Sequence, residues 1–349
     1  MRTIIWNEEK QVVEMIDQRI LPREFTILSY DNYKGIADAI RTMVVRGAPA
    51  IGAAAAFGMA LAAYQSDAMT TKALLADLSE AGDFLNQARP TAVNLSWAVR
   101  RMLKTAETFE GSVDEMRAHL LKQAKDIADE DVEINKQMAT YGAALIDDGD
   151  HVLHHCNTGA LATVDWGTAL GVIRMAHEQG KQIHVFVDET RPRLQGARLT
   201  AWELEQYGIP YDVITDNSSG YLMRKGMIQK AFFGADRVAA NGDVANKIGT
   251  YMLSLAAYDN GIPAYCVCPV STIDFDLPRG DMIPIEERDE AEVLALTLMG
   301  EPVAPETATA RNFAFDVTPN RLVSGWVTEK GVIYPPFKIN MQAALKDKG

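Results

Sequence analysis

The chain has 349 residues, with 34 Lys and Arg against 47 Asp and Glu, a formal charge of −13 at pH 7. At ~150 residues per domain this length implies about two domains, and 48% hydrophobic with 23% charged residues is ordinary globular composition, which excludes disordered and fibrous classes. An acidic chain without a Lys/Arg-rich run excludes a nucleic-acid groove, which needs a basic stripe, yet leaves room for a small anionic ligand held by a few arginines in a cleft.

At the N-terminus, Glu8 and Glu9 stand where a signal peptide needs an apolar stretch, so the expected location is cytoplasmic. Cys156, Cys266 and Cys268 are too few and too oddly spaced for a disulfide framework, which points to a reducing compartment. Ile4 to Trp6, Val12 to Ile16 and Phe25 to Tyr30 are short β-favouring runs and predict a small antiparallel sheet. Helical periodicity follows over Tyr33 to Val45, the Ala-rich segment from Pro49, Thr71 to Phe84, Val93 to Phe109 and Val113 to Leu145. The most apolar run, Ala48 to Tyr64, holds Pro49, Gly52 and Gly58 and falls short of the ~20 residues that cross a bilayer, so it reads as a buried helix and no membrane partner is expected.

From Asp150 onward β-branched runs (151–155, 182–187, 211–214, 230–233, 264–267) alternate with helical stretches (168–179, 197–207, 221–229, 245–260). Such alternation predicts a doubly wound, Rossmann-like parallel sheet. The chain therefore reads as α/β, with an N-terminal β/helical domain over 1–125 and a Rossmann-like domain over 126–349. In that architecture ligands bind beyond the carboxyl ends of the strands, so the loops there are the ones to search.

The first such loop is His155-Cys156-Asn157-Thr158-Gly159, where Cys156 is either a reactive thiol on the rim or a small buried hydrophobe. Cys266 and Cys268 point to one face of their strand and read as packing. Alternation sets His154 and His155 on opposite faces, which also suits packing. The loop from Asp188 to Arg198 collects two acids, three arginines and Gln195 ahead of a helix, a composition for holding phosphate or sugar hydroxyls, with solvated surface charge as the alternative. After the fourth strand, Asp236 enters the rim, where partial desolvation suits a carboxyl for acid/base work; a salt bridge to Arg237 or an N-cap competes with that reading. The Asn241-Gly242-Asp243 turn is expected to feed a helix near Asn246, with Lys247 in its first turn.

In the N-terminal part, Arg46-Gly47-Ala48-Pro49 reads as a helix start with open N–H groups beside a cation. Arg89-Pro90-Thr91 repeats the theme, with Thr91 as an N-cap; for both arginines a solvated side chain is the alternative. No Walker A loop, G-x-G-x-x-G, H-E-x-x-H, zinc-type Cys/His spacing or G-x-S-x-G elbow occurs, so no cofactor and no metal is expected.

Taken together, Val45 to Gly52, Arg89 to Leu95, His155 to Gly159, Glu189 to Pro192, Gln195 to Leu204, Gly234 to Arg237 and Asn246 to Tyr251 closely resemble the methylthioribose-1-phosphate isomerase family. Ser271 to Asp274, Ile283 to Arg288 and Phe315 to Pro319 extend the resemblance over nearly the whole chain. The fold is shared with regulatory subunits of a eukaryotic translation-initiation exchange factor and with ribose-bisphosphate isomerases. The resemblance implies an aldose-to-ketose isomerisation in methionine salvage, with a sugar phosphate as ligand, no cofactor and a homodimeric state. It implies Cys156 as transition-state stabiliser and Asp236 as proton donor, with Arg46, Gly47, Ala48, Arg89, Gln195, Asn246 and Lys247 as substrate contacts. Asn217-Ser218-Ser219 and Asn312-Phe313-Ala314 depart from the family pattern and bear on the thioether end of the pocket. A 5-deoxyribose-1-phosphate isomerase and a non-catalytic regulatory subunit of the same fold are the alternatives.

Overall fold

The three β-favouring runs at the N-terminus form strands β1 (Ile4–Asn7), β2 (Val12–Ile16) and β3 (Ile27–Tyr30), paired as an antiparallel meander with Ile4 opposite Met15 and Val13 opposite Tyr30. A computed structural model describes residues 1–90 and 92–346 of the chain. Alternation along the meander puts Ile4, Trp6, Val13 and Met15 on a buried face.

Five helices follow: α1 (Tyr33–Arg41), α2 (Ala48–Gln65), α3 (Thr71–Ala88), α4 (Val93–Glu107) and α5 (Val113–Ala143). Asn32 caps α1 by accepting from the Gly35 N–H at 2.8 Å, and Thr70 does the same for α3 from Ala73 at 3.2 Å. The sequence predicts α1 as far as Val45, but it stops at Arg41, where Met43 turns left-handed and the Val44 N–H folds back onto the Ala39 carbonyl. Helix α2 is apolar on every side, the signature of a helix surrounded by packing. Contrary to the sequence expectation, its 18 residues are long and apolar enough to cross a membrane by length and composition alone, but 78% of them are buried inside the protein, as the buried-helix reading expects. Its small residues allow close approach, Gly58 against Leu85 and Ile36, Gly52 against the Asn94 backbone. The N-cap position of α4 is Ala92; the cap expected at Thr91 lies outside the described residues.

The chain divides into two compact units, Met1–Asn135 with Gly159–Gly167, and Lys136–Thr158 with Thr168–Gly349. The division falls inside α5, ten residues beyond the 125/126 boundary read from the sequence. The short second segment of the first unit is tied down by its backbone: Thr3 N–H donates to the Val164 carbonyl at 2.8 Å, Gln18 Nε2 to the Leu161 carbonyl at 2.7 Å, and Val164 N–H to Asp131 Oδ2 at 2.8 Å.

The second unit alternates β4 (His151–His154), α6 (Ala169–Glu178), β5 (His184–Asp188), α7 (Ala201–Tyr207), β6 (Tyr211–Ile214), α8 (Ser219–Arg224) and β7 (Lys230–Phe233). Next come β8 (Arg237–Ala239), β9 (Val244–Lys247), α9 (Thr250–Asp259) and β10 (Ala264–Val267). Its tail holds β11 (Ile273–Asp274), α10 (Ala291–Leu294), β12 (Thr297–Leu298), β13 (Glu301–Pro302), β14 (Phe315–Thr318), β15 (Gly325–Thr328), β16 (Gly331–Ile333) and α11 (Phe337–Lys346). The main sheet has the order β16-β15-β10-β7-β4-β5-β6, all parallel except the β15–β16 pair. The expected small antiparallel sheet with helices and Rossmann-like parallel sheet are both present. Because β5 and β6 lie on one side of β4 and β7 and β10 on the other, strand order reverses between β4 and β7.

One element differs in kind. The sequence predicts a helix over 245–260, but Val244–Lys247 is a strand in a second sheet of order β11-β8-β9-β14, and the helix starts only at Thr250. Its partners are remote: Lys247 pairs with Phe315 and Asn246 with Asp316. The Asn241-Gly242-Asp243 turn therefore closes a β8–β9 hairpin, with the Ala239 N–H donating to the Asp243 carbonyl at 2.9 Å.

Candidate active site

In the first unit, Arg46, Gly47 and Ala48 stand half-buried at the start of α2, with Gly47 as the N-cap residue at φ +95°. A Cβ on Gly47 would come within 2.2 Å of the Ala162 carbonyl oxygen, so only glycine fits this turn. Arg89, half-buried, ends α3 just before α4. The contact of Gly52 with Asn94 packs the first turns of α2 and α4 together, so both arginine-bearing segments feed neighbouring helix N-termini, where unsatisfied N–H groups favour an anion.

In the second unit, Cys156 lies two residues beyond β4, buried and in a left-handed conformation at φ +65°. Asp236 follows β7, the parallel neighbour of β4, and the two loops touch: a Cβ on Gly234 would lie 2.8 Å from the Thr158 methyl. The thiol and the carboxyl thus leave the sheet on either side of the strand-order reversal, the position at which open α/β sheets bind ligands. Asp236, expected to emerge into the rim, is an exposed residue. Its N–H donates to the Ala245 carbonyl at 2.9 Å at the start of the hairpin. Arg237 pairs with Asp274 at 3.7 Å rather than with Asp236.

Gln195 is buried with its Oε1 unpartnered among the described residues, an acceptor held ready for a donor. The arginines around it are already engaged: Arg193 pairs with Glu292 at 2.7 Å, and Arg191 donates to the Val293 carbonyl at 2.9 Å. Burial lowers the pKa of Arg198 from its ordinary range, reinforced by Arg193. The open phosphate clamp expected of the whole loop is therefore narrower, and Gln195 is its unsatisfied member.

Asn246 and Lys247 are buried at the end of β9 rather than in a helix. Asn246 Nδ2 donates to Thr250 Oγ1 at 2.9 Å, and Lys247 Nζ donates to the Ala314 carbonyl at 2.9 Å while standing 4.5 Å from the centre of the Phe315 ring. Asp316 covers the α9 terminus, accepting from Gly249 at 2.8 Å and Tyr251 at 3.1 Å. Burial raises its pKa to about 6 against the pull of those two N–H groups.

Sequence reasoning missed the pair His155–Asp188. His155 lies one residue past the end of β4, so strand alternation does not govern it; Nδ1 meets Asp188 Oδ2 at 2.8 Å and Nε2 donates to the Ile248 carbonyl at 2.9 Å. Burial opposes the charge on His155, but the hydrogen bond and charge of Asp188 outweigh it and raise the pKa. This pair links the loops bearing Cys156, Gln195 and Lys247. A histidine beside a rim cysteine, with an acid ending the next strand, was its signal. With Asp216 these residues form a group of metal-ligating type, but Asp216 spends both carboxylate oxygens on the Thr190 and Arg191 N–H groups, at 2.7 and 2.8 Å.

Residues 44–335 match the Initiation factor 2 subunit family. Methylthioribose-1-phosphate isomerase 2 of Pseudothermotoga lettingae is 52% identical to this chain over 341 residues, 98% of the chain and 97% of that protein. The chain belongs to this family. Two solved members of the initiation factor 2 subunit fold are also similar. The 5-methylthioribose 1-phosphate isomerase of Pyrococcus horikoshii is 45% identical, with a TM-score of 0.94 over 99% of this chain and 96% of that one. A structure from A. fulgidus titled translation initiation factor eIF-2B, subunit delta, is also 45% identical, with a TM-score of 0.90 over 99% of both chains.

Proposed function

We propose that this family member is an intramolecular oxidoreductase that converts 5-methylthioribose 1-phosphate into 5-methylthioribulose 1-phosphate, a step of methionine salvage in the cytoplasm, as a homodimer. Its relatives' names support the reaction. The observation that carries the site assignment is the emergence of Cys156 and Asp236 on either side of the strand-order reversal, from adjacent parallel strands.

The phosphate on C1 blocks the aldehyde, so the ring C1–O bond must break first, and the ring oxygen then takes a proton; Asp236 is the donor in this reading. Loss of the C2 proton from the oxocarbenium left at C1 gives an enol, which takes a proton at C1 as its C2 hydroxyl releases one. Alternatively, the C2 hydrogen moves to C1 as a hydride while the C2 hydroxyl loses its proton. Either route leaves the same ketose, and Cys156 stabilises the charge that develops along it. Arg46, Gly47, Ala48 and Arg89 are assigned to substrate binding with Gln195, Asn246 and Lys247: cations and helix N–H groups for the phosphate, buried amides for hydroxyls. Anchoring of that kind fixes the reacting atoms, worth up to ~7–11 kcal/mol in ideal cases.

The test is incubation with 5-methylthioribose 1-phosphate, with and without chelator, followed by phosphorus NMR. Ketose formation at equal rates in both arms is expected. No turnover of any sugar 1-phosphate supports a non-catalytic subunit instead. The substrate lacking the methylthio group, 5-deoxyribose 1-phosphate, belongs in a second arm, since an apolar pocket discriminates by only ~1–3 kcal/mol per methylene-sized piece.

A further inference from the structure

Cys156 and Thr190 are both left-handed, at φ +65° and +60°, although neither is glycine and Thr190 is β-branched. Such residues are disfavoured and persist where their surroundings over-determine them. The surroundings of Cys156 are specific. Its N–H donates to Thr190 Oγ1 at 2.9 Å, and its carbonyl accepts from Thr200 Oγ1 at 2.7 Å, so both of its backbone polar groups end on buried threonine hydroxyls. Each threonine is itself anchored. Thr190 Oγ1 donates to the Asp188 carbonyl at 3.0 Å and its N–H to Asp216 at 2.7 Å; Thr200 Oγ1 accepts from Asn157 Nδ2 at 3.1 Å, whose other bond goes to the buried Glu203 at 2.8 Å. Gln195 lies midway between the two threonines in the same segment, and a Cβ on the adjacent Gly196 would reach within 1.7 Å of the Asp188 carbonyl oxygen, so this stretch lies tight against the end of β5.

We propose that Thr190 and Thr200 are positioning residues for the isomerisation: their hydroxyls grip the Cys156 peptide from both sides and hold it in the left-handed turn that presents the thiol at the rim. This rests on the reading of Cys156 as the transition-state stabiliser. Neither threonine is assigned a contact with substrate, so their loss acts on the chemical step and leaves binding to the cationic residues.

The experiment compares Thr190→Val, which keeps shape and removes the hydroxyl, with Thr190→Ser, which restores it, alongside Cys156→Ala, measuring kcat and KM separately and checking folding by circular dichroism and thermal melting. A folded Thr190→Val is expected to lose about 10²-fold in kcat, the scale of an ångström-sized misplacement, with KM little changed, while Thr190→Ser recovers most of the rate. A folded valine variant with wild-type kcat, or a serine variant as slow as valine, overturns the proposal. If Thr190→Val does not fold, Thr200→Val and Thr200→Ser are judged by the same criteria, and failure of both valine variants to fold assigns the hydroxyls to stability and overturns it too. Cys156→Ala separates the two levels: if it keeps wild-type turnover, the reading of Cys156 falls and takes this proposal with it. If it is inactive beside a fully active Thr190→Val, only the positioning role is lost.

Discussion

His155 and Asp188 are each 1% exposed and bonded to one another, which makes the pair costly to break from one side. Asp188→Ala is expected to destabilise the second unit by about 1–3 kcal/mol, because the buried His155 imidazole loses the partner of its Nδ1. Urea unfolding measures it, and a loss well under that range means that the pair contributes little. Asp131 in the first unit is a different case. Burial raises its pKa from the ordinary 3.8 to about 7, with the Val164 N–H pulling the other way. The folded chain therefore holds a proton that the unfolded chain releases near pH 4, so this contribution to stability is full below about pH 4 and is lost as pH rises through about 7. Asp131→Asn, which keeps an acceptor for Val164, is expected to flatten the decline in melting temperature between pH 5 and pH 8. An unchanged decline would show that Asp131 does not carry it.

At the scale of elements, Gly249 joins β9 to α9 at φ +104°, and a Cβ there would lie 2.8 Å from His155 Cε1. Gly249→Ala is expected to cost at least ~1–2 kcal/mol from the left-handed backbone alone, with Lys247 and His155 displaced besides; thermal melting checks the first and substrate titration the second. A variant as stable as the parent would mean that the turn tolerates a side chain. This junction is also where the sequence was least legible. Strands β6, β7 and β10 match their predicted limits because each is a short apolar run between turn signals, fixed by local pattern. Val244-Ala245-Asn246-Lys247 has no such pattern; Val244 and Ala245 pair locally with β8, but Asn246 and Lys247 pair with Asp316 and Phe315, about seventy residues later, which no local window contains. Similarly, rim position marked Cys156 and Asp236, whereas the threonines that hold Cys156 are individually unremarkable and become visible only as hydrogen-bond partners.

For the whole molecule, the sequence alone sufficed for the two architectures and the family, because strand-helix alternation and long ordered motifs survive without coordinates. The chemistry depends on finer placement: the burial of Cys156 was one of two readings of the sequence, whereas an exposed Asp236 and a Gln195 Oε1 unpartnered among the described residues were not legible as such. The proposed division of labour separates binding, by Arg46, Arg89 and Lys247 with their neighbours, from chemistry, by Cys156 and Asp236. Solvent deuterium in the product reports the route between C2 and C1: incorporation at C1 is expected from the enol, and none from hydride migration. The most direct measurement is turnover of 5-methylthioribose 1-phosphate by Cys156→Ala and Asp236→Asn, with substrate binding to each variant followed by calorimetry. Both variants are predicted to form no detectable ketose while binding the sugar phosphate about as well as the parent. Wild-type turnover by either one, or binding lost together with turnover, would contradict the assignment.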